Sequence, residues 1–163
     1  MSKRGIEDVI RDILKDDSQK NALDFAMYMN KNAVSNSDFI FVKNDEADES
    51  GWKAAYKDES ICFMYISGNE EFPGPWTVWI DGDYIGKHTE SVDEKIKEAA
   101  WENVAPCGSC GGKCTPGSRR TIFGKDFENV CNSTLMFTNP DAELLECMIK
   151  IADIRKNDIA KGV

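Results

Sequence analysis

The sequence predicts an α+β protein, an antiparallel β-meander packed with N- and C-terminal helices, plus a Cys-rich segment resembling a zinc knuckle. Three observations carry this expectation. Apolar residues recur at helical spacing at both ends of the chain. The middle switches to two-residue alternation rich in β-branched and aromatic side chains. Four cysteines, Cys107, Cys110, Cys114 and Cys131, then follow at close spacing. A chain of 163 residues has the length of one domain. No linker, repeat or low-complexity tract divides it, so residues 1–163 read as a single domain, with the Cys-rich segment at about 105–132 inside it.

The elements follow in order. Ile6, Val9, Ile10, Ile13 and Leu14 trace one face of a first helix. Asp16-Asp17-Ser18 interrupts it and offers a cap to a second helix reaching about residue 32. That helix carries Leu23, Ala26 and Met27 on one stripe, with Ala22, Phe25 and Met29 beside it. Phe39 to Val42 is a short apolar run, and Asn44 to Ser50 an acidic loop. Trp52, Ala54 and Tyr56 alternate with Lys53, Ala55 and Lys57 as in a strand, and Asp58-Glu59 suits a turn. Ile61 to Ile66 and Trp76 to Ile80 have the branched and aromatic content of further strands. Asp81-Gly82 is a two-residue hairpin signal. Ser91 and Glu94 have capping-box spacing ahead of a helix to about Val104, which Pro106 stops. A short strand is expected at Thr121 to Phe123. Asn139-Pro140-Asp141 opens a last helix to about Lys156, with Leu144, Leu145, Met148, Ile149, Ala152 and Ile154 inward.

Charge and motif content exclude several function classes. A net charge of −9 disfavours general binding to nucleic acid or anionic membrane, which needs clustered Lys and Arg. Between Cys107 and Cys131 the sign reverses, with Lys113, Arg119, Arg120 and Lys125 against Asp126 and Glu128. This small basic island would offset thiolate charge, with binding of an anion as the alternative. No apolar run long enough for a membrane helix and no continuous apolar stretch of a secretory signal is seen, which leads us to expect a cytoplasmic protein. No Gly-rich nucleotide cradle is present, and His88, the single histidine, has no nucleophile elbow near it. Asp81 and Asp83 are explained by the hairpin signal more simply than by a cation.

The specific chemical feature is Cys107-x2-Cys110-x3-Cys114-x16-Cys131. Two cysteines with two residues between them can curl around one metal ion, and Gly108, Gly111 and Gly112 permit the tight turns this needs. Four thiolates fill the tetrahedral shell of Zn²⁺ and leave no open position for water, which makes such a site structural. An iron–sulfur cluster is one alternative, since the close triplet partly echoes a bacterial cluster run that has one more cysteine. Redox chemistry of the Cys107-Gly-Ser-Cys110 pair, a disulfide, and unliganded thiols are others. His88 is an alternative fourth ligand to Cys131. Cys62 and Cys147 read as small buried apolar side chains.

Aromatic residues crowd the meander. Alternation places Trp52 and Tyr56 on one face, joins Phe63 with Tyr65, and separates Trp76 from Trp79. Packing in the core accounts for these rings. The competing expectation is a ligand surface of Trp52, Tyr56, Trp76 and Trp79 for a flat or cationic small molecule.

Asn21 to Phe25, Pro73 to Trp79, Arg120 to Phe127, Asn129-Val-Cys131 and Asn139 to Ala142 together give the chain, from about 20 to 156, a resemblance to a family of small uncharacterised bacterial proteins with a C-terminal Cys cluster. That resemblance implies a bacterial cytoplasmic origin and no particular activity. The expectation for function is therefore a non-enzymatic binding or regulatory module with a structural four-cysteine zinc site. A redox or iron–sulfur protein and a protein-interaction module docking through the basic Cys-rich segment are the alternatives.

Overall fold

In the computed structural model, residues 5–33, 40–43, 51–67, 74–80, 88–107 and 116–161 are described, with the backbone alone for 31–33 and 40–43. Among them are four helices and seven strands. These are α1 (Ile6–Ile13), α2 (Asp16–Ala33), β1 (Ile40–Lys43), β2 (Gly51–Tyr56), β3 (Glu59–Ile66), β4 (Trp76–Ile80), α3 (Glu94–Glu102), β5 (Val104–Pro106), β6 (Ser118–Ile122), β7 (Lys125–Thr138) and α4 (Ala142–Lys161). The strands form one antiparallel sheet in the order β1-β2-β3-β4-β7-β5, with β6 also paired to β7. The α+β class is as expected.

Strand alternation decides which side chains meet the helices. Trp52, Ala54, Cys62, Met64, Ile66, Trp76, Val78, Ile80, Leu135 and Phe137 are at most 4% exposed and form one face. They share the core with Ile6, Val9, Ile10 and Leu14, with Ala22, Phe25, Ala26 and Met29 of α2, and with Leu145, Met148, Ile151 and Ala152 of α4. In α2 and α4 these positions lie three or four residues apart, the spacing of a single helix face. Helix α1 ends at Ile13 with Leu14 as its cap, and the Gln19 side-chain amide donates to the carbonyls of Leu14 (2.8 Å) and Arg11 (3.1 Å), which satisfies the free end of α1.

Several local expectations are corrected. Ile13 is 39% exposed and Met27 53%, so neither belongs to the core stripe; the buried face of α2 is Ala22, Phe25, Ala26 and Met29. Ser91 does not cap α3. The helix begins after Asp93, no side-chain cap bond forms, and the Ser91 hydroxyl donates to the His88 carbonyl instead. Pro106 does not follow a helix directly, because Val104 to Pro106 pair with β7 as a short strand. Asn139 is not the cap of the last helix. Asp141 is, with its Oδ1 accepting the Leu144 N–H at 2.8 Å. Asn139 instead accepts from Ser18 (2.8 Å) and from Trp76 Nε1 (3.1 Å). The β2–β3 turn sits at Lys57-Asp58, one residue earlier than expected, with φ of 49° and 66°, the sign that matches strand twist in a two-residue hairpin. Asp81 and Asp83 lie outside the described residues. Thr77 to Ile80 of β4 are paired on both sides, by β3 and by β7, so a following strand finds no free edge along that stretch.

The largest departure is β7. The sequence indicates only a short strand before it, whereas Lys125–Thr138 is a 14-residue strand. Its first half, Lys-Asp-Phe-Glu-Asn, has poor intrinsic strand preference. The β6–β7 hairpin supplies the missing drive. Phe123-Gly124 turns with φ of 46° and 84°, and Phe123 and Ile122 are each 1% exposed. The Trp101 indole donates to the Ile122 carbonyl at 2.7 Å and ties the hairpin to α3. Asn129 and Thr134 both have positive φ (54° and 62°), which bends the strand so that it serves β4 along one stretch and β5 and β6 along another.

Candidate functional site

Two places carry chemistry. The first is where β5 and β6 meet β7. Pro106 and Ser118 both pair with Val130, so the chain that leaves β5 at Cys107 returns at Gly117 to the same point of β7. The Cys107 N–H donates to the Asn129 carbonyl at 2.8 Å, and Asn129 Nδ2 donates back to the Cys107 carbonyl at 3.3 Å. The Gly117 N–H donates to Cys107 Sγ at 3.2 Å. Gly117 has no room for a side chain: a Cβ there would lie 2.4 Å from Cys107 Cβ, 2.8 Å from Asn129 Oδ1 and 3.0 Å from the Val130 carbonyl. Cys131 follows Val130 directly and is half-buried. Cys107 and Cys131 carry free thiols. Cys110 and Cys114 lie outside the described residues, and so does the interior of the knuckle-like segment. Among the described residues, no three His, Cys, Asp or Glu side chains form a metal-binding group.

The basic island has counter-charges of its own. Arg119 pairs with Asp126 at 2.7 Å and with Glu128 at 3.3 Å. The Thr121 hydroxyl and then the Arg119 guanidinium hold the Asp126 carboxyl below its ordinary value. Arg120 donates to the Thr134 hydroxyl at 3.0 Å, and Lys125 lies over the Trp101 and Phe127 rings at 5.3 and 5.5 Å. Spacing alone shows the four cations but not these partners.

The second place is the sheet face away from the helices. Register sets Lys53, Phe63, Trp79 and Met136 in one cross-strand row, all half-buried. Phe63 and Trp79 stack at 5.9 Å with a 49° tilt. The four rings first considered as a ligand surface therefore divide. Trp52 (4% exposed) and Trp76 (fully buried, 6.4 Å from Phe25) serve the core. Trp79 stays outside it. Tyr56 is half-buried, with Lys57 and Lys156 over its ring at 5.5 and 5.7 Å. Tyr56 packs against the core, and Lys156 belongs to α4, so this ring also lies on the helix side.

His88 has a partner the sequence does not announce. Its Nε2 lies 2.8 and 3.1 Å from the two carboxylate oxygens of Asp158, a residue only 7% exposed near the end of α4. The signal was present: Asp158 stands seven residues after Ile151, on the buried stripe of that helix. This contact engages Nε2 of the imidazole. Cys62 and Cys147 are buried, as expected. Cys147 lines a groove of about 470 Å³ between α3 and α4, where burial pushes its thiol above the ordinary value and Lys95 opposes that shift.

Fold and site together define an α+β protein with one antiparallel sheet, helices on one face and a cysteine-bearing corner at β7. No family model, curated protein or solved structure matches the chain. The resemblance to a family of small bacterial proteins therefore brings no assignment with it. Among the described residues, no helix is long and apolar enough to cross a membrane.

Proposed function

We propose that the chain is a non-enzymatic, cytoplasmic binding or regulatory module in which Cys107, Cys110, Cys114 and Cys131 hold one structural Zn²⁺. The observation that carries this reading is the closure of the cysteine-bearing segment on itself, with the Gly117 N–H on Cys107 Sγ and with Pro106 and Ser118 both on Val130, next to Cys131. Three residues of extended chain span about 10 Å at most. Covalent reach alone therefore allows Cys110, three residues from Cys107, and Cys114, three from Gly117, to meet the same ion. An amide donor on a cysteine sulfur orients the atom that would bind the metal. Four thiolates leave the ion no vacant position, so the metal would hold the corner together and do no chemistry. Protein purified without added metal is expected to contain about one Zn²⁺ per chain, with the four thiols blocked until a chelator is added. Visible absorption from iron–sulfur charge transfer, or a Cys107–Cys110 disulfide in metal-free folded protein, would replace this reading with one of its alternatives.

The binding role falls to the outer sheet face. Of the rings first considered, Trp79 alone stays on the outer face, where Phe63 joins it; Tyr56 packs against the core beside α4. A flat or cationic small molecule is the ligand class such rings suit. Its binding is expected to quench tryptophan fluorescence, with Trp79→Ala weakening the response by about tenfold, the effect of losing about 1.4 kcal/mol. A response that survives Trp79→Ala would rule out this face as the binding surface.

A further inference from the structure

Cys107 is held through its backbone and its sulfur alike. Its backbone N–H is bound to the Asn129 carbonyl and its carbonyl to the Asn129 side chain, so both polar backbone groups of Cys107 are anchored to the bent part of β7. The Gly117 N–H is then aimed at the sulfur itself, at 3.2 Å. That approach exists only because residue 117 has no side chain, since a Cβ would fall within 2.4 Å of Cys107 Cβ and within 3.0 Å of the Val130 backbone. Neither neighbour is the flexible end of a long side chain. An added methyl group must move the strand or lift the amide from the sulfur. The φ of Gly117 is not in the left-handed region, so the demand for glycine here comes from space and not from backbone conformation.

We infer that Gly117 is a positioning residue for the metal-binding sulfur of Cys107, its amide donating to the thiolate from outside the ligand shell. This rests on the zinc reading above and deepens it. Hydrogen bonds to ligating atoms orient the ligand and tune its electron density, and losing one costs about 10- to 100-fold in metal affinity. In a shell of four thiolates around Zn²⁺ the excess negative charge is shared by the sulfurs. An N–H on one of them withdraws part of it, and Gly117, directly before β6, presents that donor before the metal arrives. Cys107 is then the ligand already in place, from which the others close.

Co²⁺ substituted into the full-length protein is the probe, because its sulfur-to-metal charge-transfer band reads electron density on the ligating atoms. Wild type is expected to show the intense band of a tetrahedral thiolate site. Gly117→Ala is expected to bind Co²⁺ about 10- to 100-fold more weakly. Its remaining band should move to lower energy, since a sulfur without its N–H gives up charge more readily. A merely structural role would lower the melting temperature and leave the band where it was. Because Gly117→Ala can fail to fold, wild type loaded with ¹¹³Cd²⁺ supplies a second measurement: the Gly117 amide proton is expected to show scalar coupling to the metal through the sulfur. Wild type that takes up neither ion overturns the zinc reading, and this inference with it. Wild type that binds, with no amide coupling or with an unchanged band and affinity in Gly117→Ala, overturns this inference alone.

Discussion

Trp76→Ala is expected to cost about 3–5 kcal/mol, in the range of complete aromatic truncation in a core. Trp76 is fully buried at the centre of the sheet, packs at 6.4 Å against Phe25 of α2, and pairs opposite Ile66. Its indole N–H also donates to Asn139, which accepts from Ser18 at the same oxygen. Removing the ring opens a cavity between sheet and helices. It also takes away the link from β4 to the two segments that start α2 and α4. For a chain of this length each kcal/mol lowers the melting temperature by about 2–4 °C, so a loss of about 6–20 °C is expected. Trp79→Ala, on the outer face, is expected to cost about 1 kcal/mol, because its ring is only half-buried. Thermal melts of the two variants side by side are the check. Equal losses, or the larger loss at Trp79, would contradict the placement of these rings.

The second large effect concerns the metal. Stripping it with a chelator, or replacing Cys131 with serine, is expected to release the corner where β5 and β6 meet β7. Structural zinc in small peptides carries about 10–16 kcal/mol of apparent binding free energy. Here the helices and β2 to β4 have their own core, so the visible cost is the loosening of that corner. We expect about 4 kcal/mol, the upper range for a single change. The loss is this large because Ala105, Ile122 and Val130, all buried, lie on the strands that the site would hold, with buried Phe123 in the turn between β6 and β7. Amide exchange should accelerate across 105–107 and 116–131 and stay slow in β3 and α4. Thiols must lose protons to bind the ion, so metal affinity should fall as pH is lowered. Unchanged melting and unchanged exchange after complete chelation would show that this corner stands without metal.

Much of the fold was legible because the signals are local. Helices α1, α2 and α4 follow from apolar residues three and four apart, and β2, β3 and β4 from alternation and branched side chains. Capping was less legible. Ser91 and Asn139 are good caps by composition, yet other partners took both side chains: the His88 carbonyl, three residues back, for Ser91, and the distant Ser18 hydroxyl and Trp76 indole for Asn139. A side-chain oxygen goes to the best donor or acceptor within reach, and sequence spacing reveals only the nearest ones.

By itself the sequence determined the α+β class, the helices at both ends, the central strands, and a cysteine spacing suited to a closed thiolate shell. These depend on periodicity and on covalent reach, properties of a short stretch of chain. The tertiary structure alone decided that the polar Lys125–Asn129 extends the strand that ends at Thr138, because it is recruited by pairing with β6 and not by its own preference. It alone separated Trp52 and Trp76 in the core from Trp79 outside it, since the side of the sheet that the helices cover is not written in any one strand. It also set His88 against Asp158 across 70 residues, and Gly117 against the Cys107 sulfur. Contacts of that kind require two distant stretches of backbone to be fixed first, and here the packing of the sheet against its helices fixes them.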